Sequence, residues 1–307
     1  MSTLAFTGDM ARLQQAIAEA HDLVVDLGPP NGRNRRIFLV AAPPSEGLLT
    51  ETTSAAQPPR QEPLFLPHTC RSQYPPGTAQ LAKPTIVFAH GLWADGSCYS
   101  KVIPRLLADG FQVISTQNHL NTVADDAAAV RTSFARAHGP VVLVGHSYGG
   151  TVITAAGTDE RVGALVYICA FAPEEGATTL VDQNKYPPTP IFQHVEVVDG
   201  RIWLRPTGVP EFAGDLPEAE QQLVWSTQMA PLADLFDQPV PGAAWQHKPT
   251  SYIVGSNDRT IQPELQRFLA ARMKAKVTEV ASSHVPMLSQ PQRVYDVIVD
   301  AAASVRR

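Results

Sequence analysis

The sequence has little of what membrane-spanning, metal-bound or disulfide-bonded proteins depend on. Only three of its 307 residues are cysteines, Cys70, Cys98 and Cys169. Their odd number and wide spacing predict free thiols in a reducing compartment, and neither a metal site nor a disulfide framework. No apolar run approaches the roughly 20 residues that span a bilayer, so we expect no membrane contact.

The chain also has only a small excess of charge of one sign. The chain carries 24 basic and 29 acidic residues, a net charge of −5, and it has no Lys/Arg-rich stretch. Nucleic acid is therefore not an expected partner. The segment Met1–Asp9 lacks a basic region followed by an apolar core, which predicts no secretory signal and a cytoplasmic location. With 44% hydrophobic residues, the composition is typical of a globular protein with a sizeable core.

The first 82 residues differ from the rest and predict an N-terminal arm, partly disordered. Residues 11–21 predict a short helix. Residues 23–27 and 36–40 predict the two strands of a hairpin, because a Gly/Pro/Asn turn separates them. Residues 43–84 are rich in Pro, Ser, Thr and Gln, which is typical of an extended linker.

From residue 83 to residue 307, alternating strand and helix patterns predict one α/β domain. Its strands are continuous apolar runs without polar alternation, as in a parallel sheet with helices on both faces. Strands are predicted over Thr85–Ala89, Phe111–Ser115, Val141–Val144, Ala164–Ile168, Thr250–Val254 and Ala275–Val280, and helices over Tyr99–Gly110, Thr122–His138, Pro263–Lys274 and Pro291–Val305.

The stretch at about residues 173–248 interrupts this alternation. It is rich in proline and holds three of the chain's four tryptophans, Trp203, Trp225 and Trp245. A segment of this length is more than a loop. We interpret it as a lid, and we expect some of its aromatic rings to line an apolar pocket.

The hexapeptide Gly145–Gly150, with the sequence GHSYGG, carries the clearest chemical signal. It follows a predicted buried strand and precedes an apolar segment that can continue as a helix. In this context, the G-x-S-x-G match predicts a nucleophile elbow, in which Ser147 is the nucleophile and Gly145 and Gly149 shape the turn.

A serine nucleophile needs a base, and the base needs an acid that holds its tautomer. Asp258 and His284 each lie four residues past the end of a predicted strand. The chain order Ser, Asp, His is the order of this type of site. Glu174 and Glu175, which follow an earlier strand, are the rival acids.

The intermediate of acyl transfer needs two backbone donors for its oxyanion. The amide of Tyr148 follows the nucleophile, and the amide of Leu92 lies in the loop after the first buried strand. Gly91 allows a close turn in that loop. We interpret His90 as a side chain that bonds the loop backbone, since one base suffices for this mechanism.

The elbow at Gly145–Gly150, the loop after the first buried strand and the segments around Asp258 and His284 together resemble those of the α/β-hydrolases. The resemblance is strongest to the compact group of carboxylesterases, methylesterases and hydroxynitrile lyases. The similarity covers residues 83–305, with no counterpart for the arm. It implies a mostly parallel sheet of the eight-stranded type, a lid after the sixth strand, and no cofactor. Family members carry a tryptophan where this chain has Cys98 and Tyr99, so we expect a different pocket floor.

The leading hypothesis is a serine hydrolase that cleaves carboxylic esters of small, apolar or aromatic molecules through an acyl-enzyme. A hydroxynitrile lyase is one alternative. Lyases of this group have a lysine after the catalytic histidine and a threonine in the oxyanion loop, where this chain has Val285 and Leu92. A non-catalytic receptor for small ligands on the same scaffold is the other alternative. The sequence leaves the oligomeric state open.

Overall fold

The computed structural model describes residues 2–5, 22–26, 36–40 and 83–305. The chain divides into two compact units, Met1–Gln73 and Tyr74–Arg307. The helix predicted over residues 11–21 lies outside the described residues, and so does nearly all of the linker predicted over residues 43–84.

The first unit contains a three-stranded sheet. Its strands are β1 (Ser2–Ala5), β2 (Asp22–Asp26) and β3 (Arg36–Val40), in that spatial order. Strand β1 is parallel to β2, and β2 is antiparallel to β3. The antiparallel pair occupies the segments where the sequence predicts a hairpin, whereas β1 was not predicted.

The second unit contains a six-stranded sheet in which all neighbours are parallel, with the order β11-β10-β7-β6-β4-β5. The chain runs outward from β4 to β5 and then returns to place β6 on the other side of β4. This reversal makes a crevice at the carboxyl ends of β4 and β6, where open α/β sheets bind ligands. The strands are β4 (Thr85–Ala89), β5 (Val113–Thr116), β6 (Val141–His146), β7 (Val162–Ile168), β10 (Thr250–Gly255) and β11 (Lys276–Val280).

The sheet differs from the eight-stranded type that the family resemblance implies. In the described part of the chain it has six strands, and the lid follows the fourth of them, β7. The two remaining strands after residue 83, β8 (Val195–Val198) and β9 (Arg201–Leu204), form a separate antiparallel pair, and Arg201 also bridges to Leu232. Asp199 and Gly200 join them with φ of 51° and 73°, the conformation of a tight hairpin turn.

Helices connect the parallel strands. Because right-handed crossovers that run in opposite directions place helices on opposite faces, the reversal at β4 covers both faces of the sheet. The helices are α1 (Ile103–Ala108), α2 (Val123–Ser133), α3 (Gly149–Ala156), α4 (Thr179–Gln183), α5 (Val209–Ala213), α6 (Glu218–Ser226), α7 (Pro263–Arg272), α8 (Pro286–Ser289) and α9 (Pro291–Val305).

The helix predicted over Tyr99–Gly110 is wrong in its first turn. A short 3-10 turn at Gly96–Tyr99 comes first, and α1 begins only at Ile103. Pro104 explains the later start, because a proline lacks the N–H that a helix interior needs and is tolerated in the first turn. Among the described helices, none has both the length and the apolar character to cross a bilayer.

The lid, residues 173–248, is held to the sheet domain by a partly buried ion pair. The Arg272 guanidinium, at the end of α7, donates to both carboxylate oxygens of Asp182 in the lid, at 2.9 Å each. Arg272 also lies over the ring of Trp245, whose indole N–H donates to the Pro173 carbonyl at 3.0 Å. A bidentate pair of this kind fixes geometry as well as adding stability.

Candidate active site

Ser147 lies at the sharp turn between β6 and α3. Its φ of 56° is in the left-handed region, which is unfavourable for a residue with a Cβ. The turn is held by backbone hydrogen bonds, from Ser147 N–H to the Ile168 carbonyl at 3.1 Å and from Gly150 N–H to the Ser147 carbonyl at 2.9 Å. Ser147 is 5% exposed, so the strained turn presents a nearly buried hydroxyl at the end of the sheet.

Gly145 and Gly149 let the elbow close. A Cβ on Gly145 would lie 2.4 Å from the Gly149 carbonyl oxygen, and one on Gly149 would lie 2.1 Å from the Ala89 carbonyl oxygen. Both distances are far below contact distance. The two positions predicted to shape the loop therefore admit only glycine without a shift of the backbone.

Asp258 and His284 form a buried hydrogen-bonded pair. The distance from Asp258 Oδ2 to His284 Nδ1 is 2.7 Å, and both side chains are fully buried. Asp258 Oδ1 accepts from the N–H groups of Thr260 and Ile261, at 2.7 and 3.0 Å. These donors stabilise the ionised carboxylate and fix the oxygen that faces the histidine.

The rival acids lie elsewhere. The Glu174 side chain is 58% exposed and lies 3.6 Å from the Arg272 guanidinium. Glu175 is exposed as well. The structure thus brings Asp258 to His284 and leaves the two glutamates at the surface.

The other ring nitrogen of His284, Nε2, is buried and makes no hydrogen bond with any described residue, Ser147 included. Since Nδ1 bonds the carboxylate, Nε2 is the nitrogen left to exchange a proton with a nucleophile. Catalytic hydrogen bonds are often loose without substrate and tighten when it binds.

His146 holds the backbone of His284 in place through a hydrogen bond. Its Nε2 donates to the His284 carbonyl at 2.8 Å, and the two ring centroids lie 4.6 Å apart. Burial lowers the pKa of His146 well below its ordinary value, and the neighbouring His284 and His90 lower the pKa further. The ring is therefore neutral, and it adds no second positive charge beside His284.

His90 has the loop-bonding contacts that the sequence predicts. Its Nδ1 donates to the Gly91 carbonyl at 2.9 Å, and its Nε2 accepts from Asn118 N–H at 2.8 Å. Because the Asn118 amide can only donate, the proton of the neutral ring is on Nδ1. Burial lowers the pKa of His90. This fully buried ring fixes the loop after β4.

That loop approaches the elbow closely. A Cβ on Gly91 would lie 2.5 Å from Ser147 Cβ and 3.1 Å from its Oγ, so only a glycine fits there. The next amide, Leu92 N–H, and the amide of Tyr148 have no hydrogen-bond acceptor among residues 83–305. Both amides belong to the segments that meet at the serine, and no group in the described part of the chain uses either of them.

The lid contacts both the loop that carries Asp258 and the loop that carries His284. In the His284 loop, the Asp215 carboxylate accepts from the backbone N–H of Ser283 at 2.9 Å and from its hydroxyl. In the Asp258 loop, the Arg259 guanidinium pairs with Glu211 of α5. The ring of Phe212 lies edge-on to His284, at 5.0 Å between centroids. The sequence did not point to these contacts, since each joins residues far apart in the chain.

Cys169, Asp258 and His284 each have a metal-ligand atom within 4.8 Å of the others. The donor set does not fit a metal ion, because the Asp258 oxygens and His284 Nδ1 are already bonded to protein groups. Burial raises the pKa of the Cys169 thiol well above its ordinary value, and the nearby Asp258 raises it further. This environment disfavours the thiolate, which is the form that binds metals.

A largely apolar cavity of about 440 Å³ adjoins the candidate site. The cavity is lined by Phe212 of the lid, by Val285 of the loop that carries His284, and by Trp93 of the loop that carries Leu92. Trp93 N–H and its indole N–H donate to the lid carbonyls of Met229 and Ile202, at 2.9 Å each. Cys98 lines the cavity, while Tyr99 is in the core. The remaining lining residues are Ala94, Asp95, Ser97, Ser100, Lys101, Glu220, Leu223, Val224, Thr227 and Leu288.

The lid aromatics divide among several places. Phe212 lines the cavity beside His284, as expected for at least one lid ring. Trp203 and Trp225 line a separate cavity of about 450 Å³ within the lid. Trp245 is buried against Arg272, and Phe236 packs on Tyr148. Trp245 and Phe236 therefore hold the lid to the sheet domain, whereas Trp203 and Trp225 pack within the lid.

Comparison with known proteins places this architecture among characterised enzymes. The model of the Alpha/beta hydrolase family matches residues 86–297. The chain is 28% identical over 247 residues to the pyrethroid hydrolase of Sphingobium wenxiniae, covering 71% of this chain and 87% of that protein. It is 25% identical over 256 residues to Methylesterase 17 of Arabidopsis thaliana, covering 72% and 92%.

Solved structures of two hydrolases have the same fold as this chain. A pyrethroid hydrolase from Sphingobium faniae superimposes with a TM-score of 0.61 at 25% identity, covering 71% of this chain and 97% of the other. Polyneuridine aldehyde esterase superimposes with a TM-score of 0.63 at 19% identity, covering 71% and 99%, and shows the shared fold. The predicted likeness to carboxylesterases and methylesterases is confirmed. The chain belongs to the alpha/beta hydrolase family.

Proposed function

We propose that Ser147, His284 and Asp258 cleave a carboxylic ester through an acyl-enzyme intermediate. The protein is a carboxylic ester hydrolase, as are its relatives named pyrethroid hydrolase and methylesterase. The observation that carries the triad is the buried Asp258–His284 pair, 2.7 Å apart, beside a serine held in an elbow with φ of 56°. Three such groups in these roles define a nucleophile, a base and an orienting acid.

In the acylation half, Ser147 Oγ attacks the ester carbonyl carbon and His284 Nε2 takes the hydroxyl proton. Asp258 Oδ2 accepts from Nδ1–H and stabilises the imidazolium that forms. The amides of Leu92 and Tyr148 donate to the oxyanion of the tetrahedral intermediate. The imidazolium then gives its proton to the alkoxide oxygen, and the alcohol leaves.

In the deacylation half, water takes the place of the alcohol. His284 Nε2 removes a proton from the water as its oxygen attacks the acyl carbon. The same two amides stabilise the second oxyanion. Collapse of this intermediate returns the proton to Ser147 Oγ and releases the carboxylic acid.

The substrate we propose is a small ester with an apolar or aromatic group. A cavity of about 440 Å³ falls in the range of small-molecule sites, and its apolar lining favours such a group. The proposed reaction needs no cofactor, because Ser147 supplies the nucleophile and His284 carries out every proton transfer, with Asp258 stabilising the imidazolium. Cys98 and Cys169 are buried free thiols, which suits a reducing, cytoplasmic location.

Hydrolysis of short-chain aryl esters, measured beside a Ser147→Ala variant and beside an aldehyde cyanohydrin, tests the proposal. We expect ester turnover that Ser147→Ala abolishes, and no release of cyanide. Serine-independent turnover would contradict the triad. Cyanide release would favour a lyase, and ligand-dependent thermal stabilisation without turnover would favour a receptor.

A further inference from the structure

Gln266 is a fully buried polar side chain on the otherwise apolar inner face of α7. Its buried neighbours on that helix are Leu265, Leu269 and Ala270. A buried amide is costly unless every polar atom is paired, so its partners explain its presence. All of these partners lie at the end of β10 or in the loop after it, which carries Asp258.

The amide of Gln266 has three partners. Its Oε1 accepts from Gly255 N–H at 3.0 Å, at the end of β10. Its Nε2 donates to Asp258 Oδ2 at 2.7 Å and to the Ile261 carbonyl at 2.8 Å. The amide cannot be turned over, because Gly255 N–H can only donate and a carboxylate can only accept. The nitrogen therefore faces Asp258.

The oxygen that Gln266 contacts is the one that His284 uses. Asp258 Oδ2 accepts from Gln266 Nε2 and from His284 Nδ1, both at 2.7 Å, while Oδ1 is held by two backbone amides. Rotation of the carboxylate would break at least one of these bonds. We propose that Gln266 is a positioning residue that holds the Asp258 carboxylate toward His284. This inference rests on the proposed triad.

Two substitutions separate positioning from mere structural support. Gln266→Leu removes the donor, and we expect kcat to fall on the order of 10- to 100-fold, with KM changed less than about threefold. Gln266→Glu preserves the size and shape of the side chain. Burial and the negative charge of Asp258 favour the protonated form of the introduced carboxyl, which can still donate to Oδ2.

The pH profile gives the second readout. In the wild type, we expect kcat/KM to stay level on the alkaline side. In Gln266→Glu, ionisation of the introduced carboxyl removes the donor and adds a repelling charge. We therefore expect a bell-shaped profile that falls on the alkaline side. The other titratable groups that face this cluster are His284, Cys169, Asp215 and Tyr252, and all of them are unchanged in the variant.

Gln112 is a matched control at the amino ends of β4 and β5, far from the candidate site. Its amide also has three partners, since Oε1 accepts from Thr85 Oγ1 and His138 N–H and Nε2 donates to the Arg136 carbonyl. Gln112→Leu and Gln112→Glu should lower stability and leave kcat and the pH profile unchanged.

The experiment measures kcat, KM and pH profiles for both variant pairs on one aryl ester. Active sites are counted by burst titration, so that misfolded enzyme does not lower kcat. Wild-type kcat and profiles in both Gln266 variants would overturn the positioning role. If Gln266→Leu does not fold, the alkaline limb of Gln266→Glu decides alone. Ester turnover that survives in Ser147→Ala would instead overturn the proposed function, which keeps the two failures distinct.

Discussion

Asp258 Oδ2 lies 2.7 Å from His284 Nδ1, and neither side chain has any exposed surface. The two residues come from loops after neighbouring strands, β10 and β11, which pair from Ser251–Lys276 to Gly255–Val280. This register brings side chains 26 positions apart to the same edge of the sheet. Burial then makes their hydrogen bond strong, because no water competes for it.

Loss of the Asp258 charge should strongly reduce kcat. With Asp258→Asn the side chain can no longer hold the proton of His284 on Nδ1, so we expect kcat to fall by about 10⁴-fold. The exposed Glu174 and Glu175 serve as matched controls, and Glu174→Gln and Glu175→Gln should stay within about twofold of the wild type. Steady-state kinetics on an aryl ester check both expectations. A larger loss from either glutamate would move the acid to the loop after β7.

A single methyl group at Gly91 should damage the oxyanion site. In Gly91→Ala the new Cβ meets Ser147 Cβ at 2.5 Å and the His146 carbonyl oxygen at 2.9 Å, so the loop must move away. We expect kcat to fall on the order of 10²- to 10³-fold, the loss seen when one oxyanion donor is displaced. Gly110→Ala is the comparison, since its Cβ meets nothing within 4 Å, although its φ of 75° costs some stability. Unchanged kcat in Gly91→Ala would argue against the Leu92 amide as a donor.

The cavity should set the size of the acceptable ester. Val224 lies on α6 and lines the cavity, so Val224→Phe narrows it without touching the triad. We expect kcat/KM for bulky aromatic esters to fall at least 10-fold, while acetate esters change little. Val197, which is 64% exposed on the lid hairpin, provides the control variant Val197→Phe. Equal losses for large and small esters would place the substrate elsewhere.

Stability should decrease on the acid side of neutrality. His90 and His146 have lowered pKa values in the fold, while in the unfolded chain a histidine titrates near 6.5. As pH falls below about 6.5, the unfolded chain binds protons that the folded protein does not, so the free energy of unfolding falls. Each histidine contributes a slope of up to about 1.4 kcal/mol per pH unit. Urea unfolding between pH 7.5 and 5 should show this slope, and a shallower one in His146→Gln. Identical slopes would contradict the neutral buried ring.

Most of the sheet domain could be predicted from the sequence because its strands are continuous apolar runs. The run at Thr85–Ala89 matches β4 in full, and the helix Pro291–Val305 matches α9. The G-x-S-x-G elbow is a local signal, since its turn depends on adjacent residues. Asp258 and His284 could be found because each follows a strand at the same offset.

The rest depends on tertiary contacts that no local pattern records. Asp215 meets Ser283 across 68 positions, and Arg272 meets Asp182 across 90. Gln266 was missed because a single glutamine in a helix is usually at the surface. Its place among the apolar residues Leu265, Leu269 and Ala270 was the available signal. The lid hairpin was missed although Asp199-Gly200 between apolar runs is a strong turn signal.

The most direct test of the acyl-enzyme is mass spectrometry after reaction with a slowly deacylating aryl carbamate. We expect one carbamoyl group per chain, located on the peptide that contains Ser147, with stoichiometric release of the phenol. Ser147→Ala should gain no mass under the same conditions. Ester turnover without any adduct, or an adduct on another residue, would contradict the acyl-enzyme on Ser147.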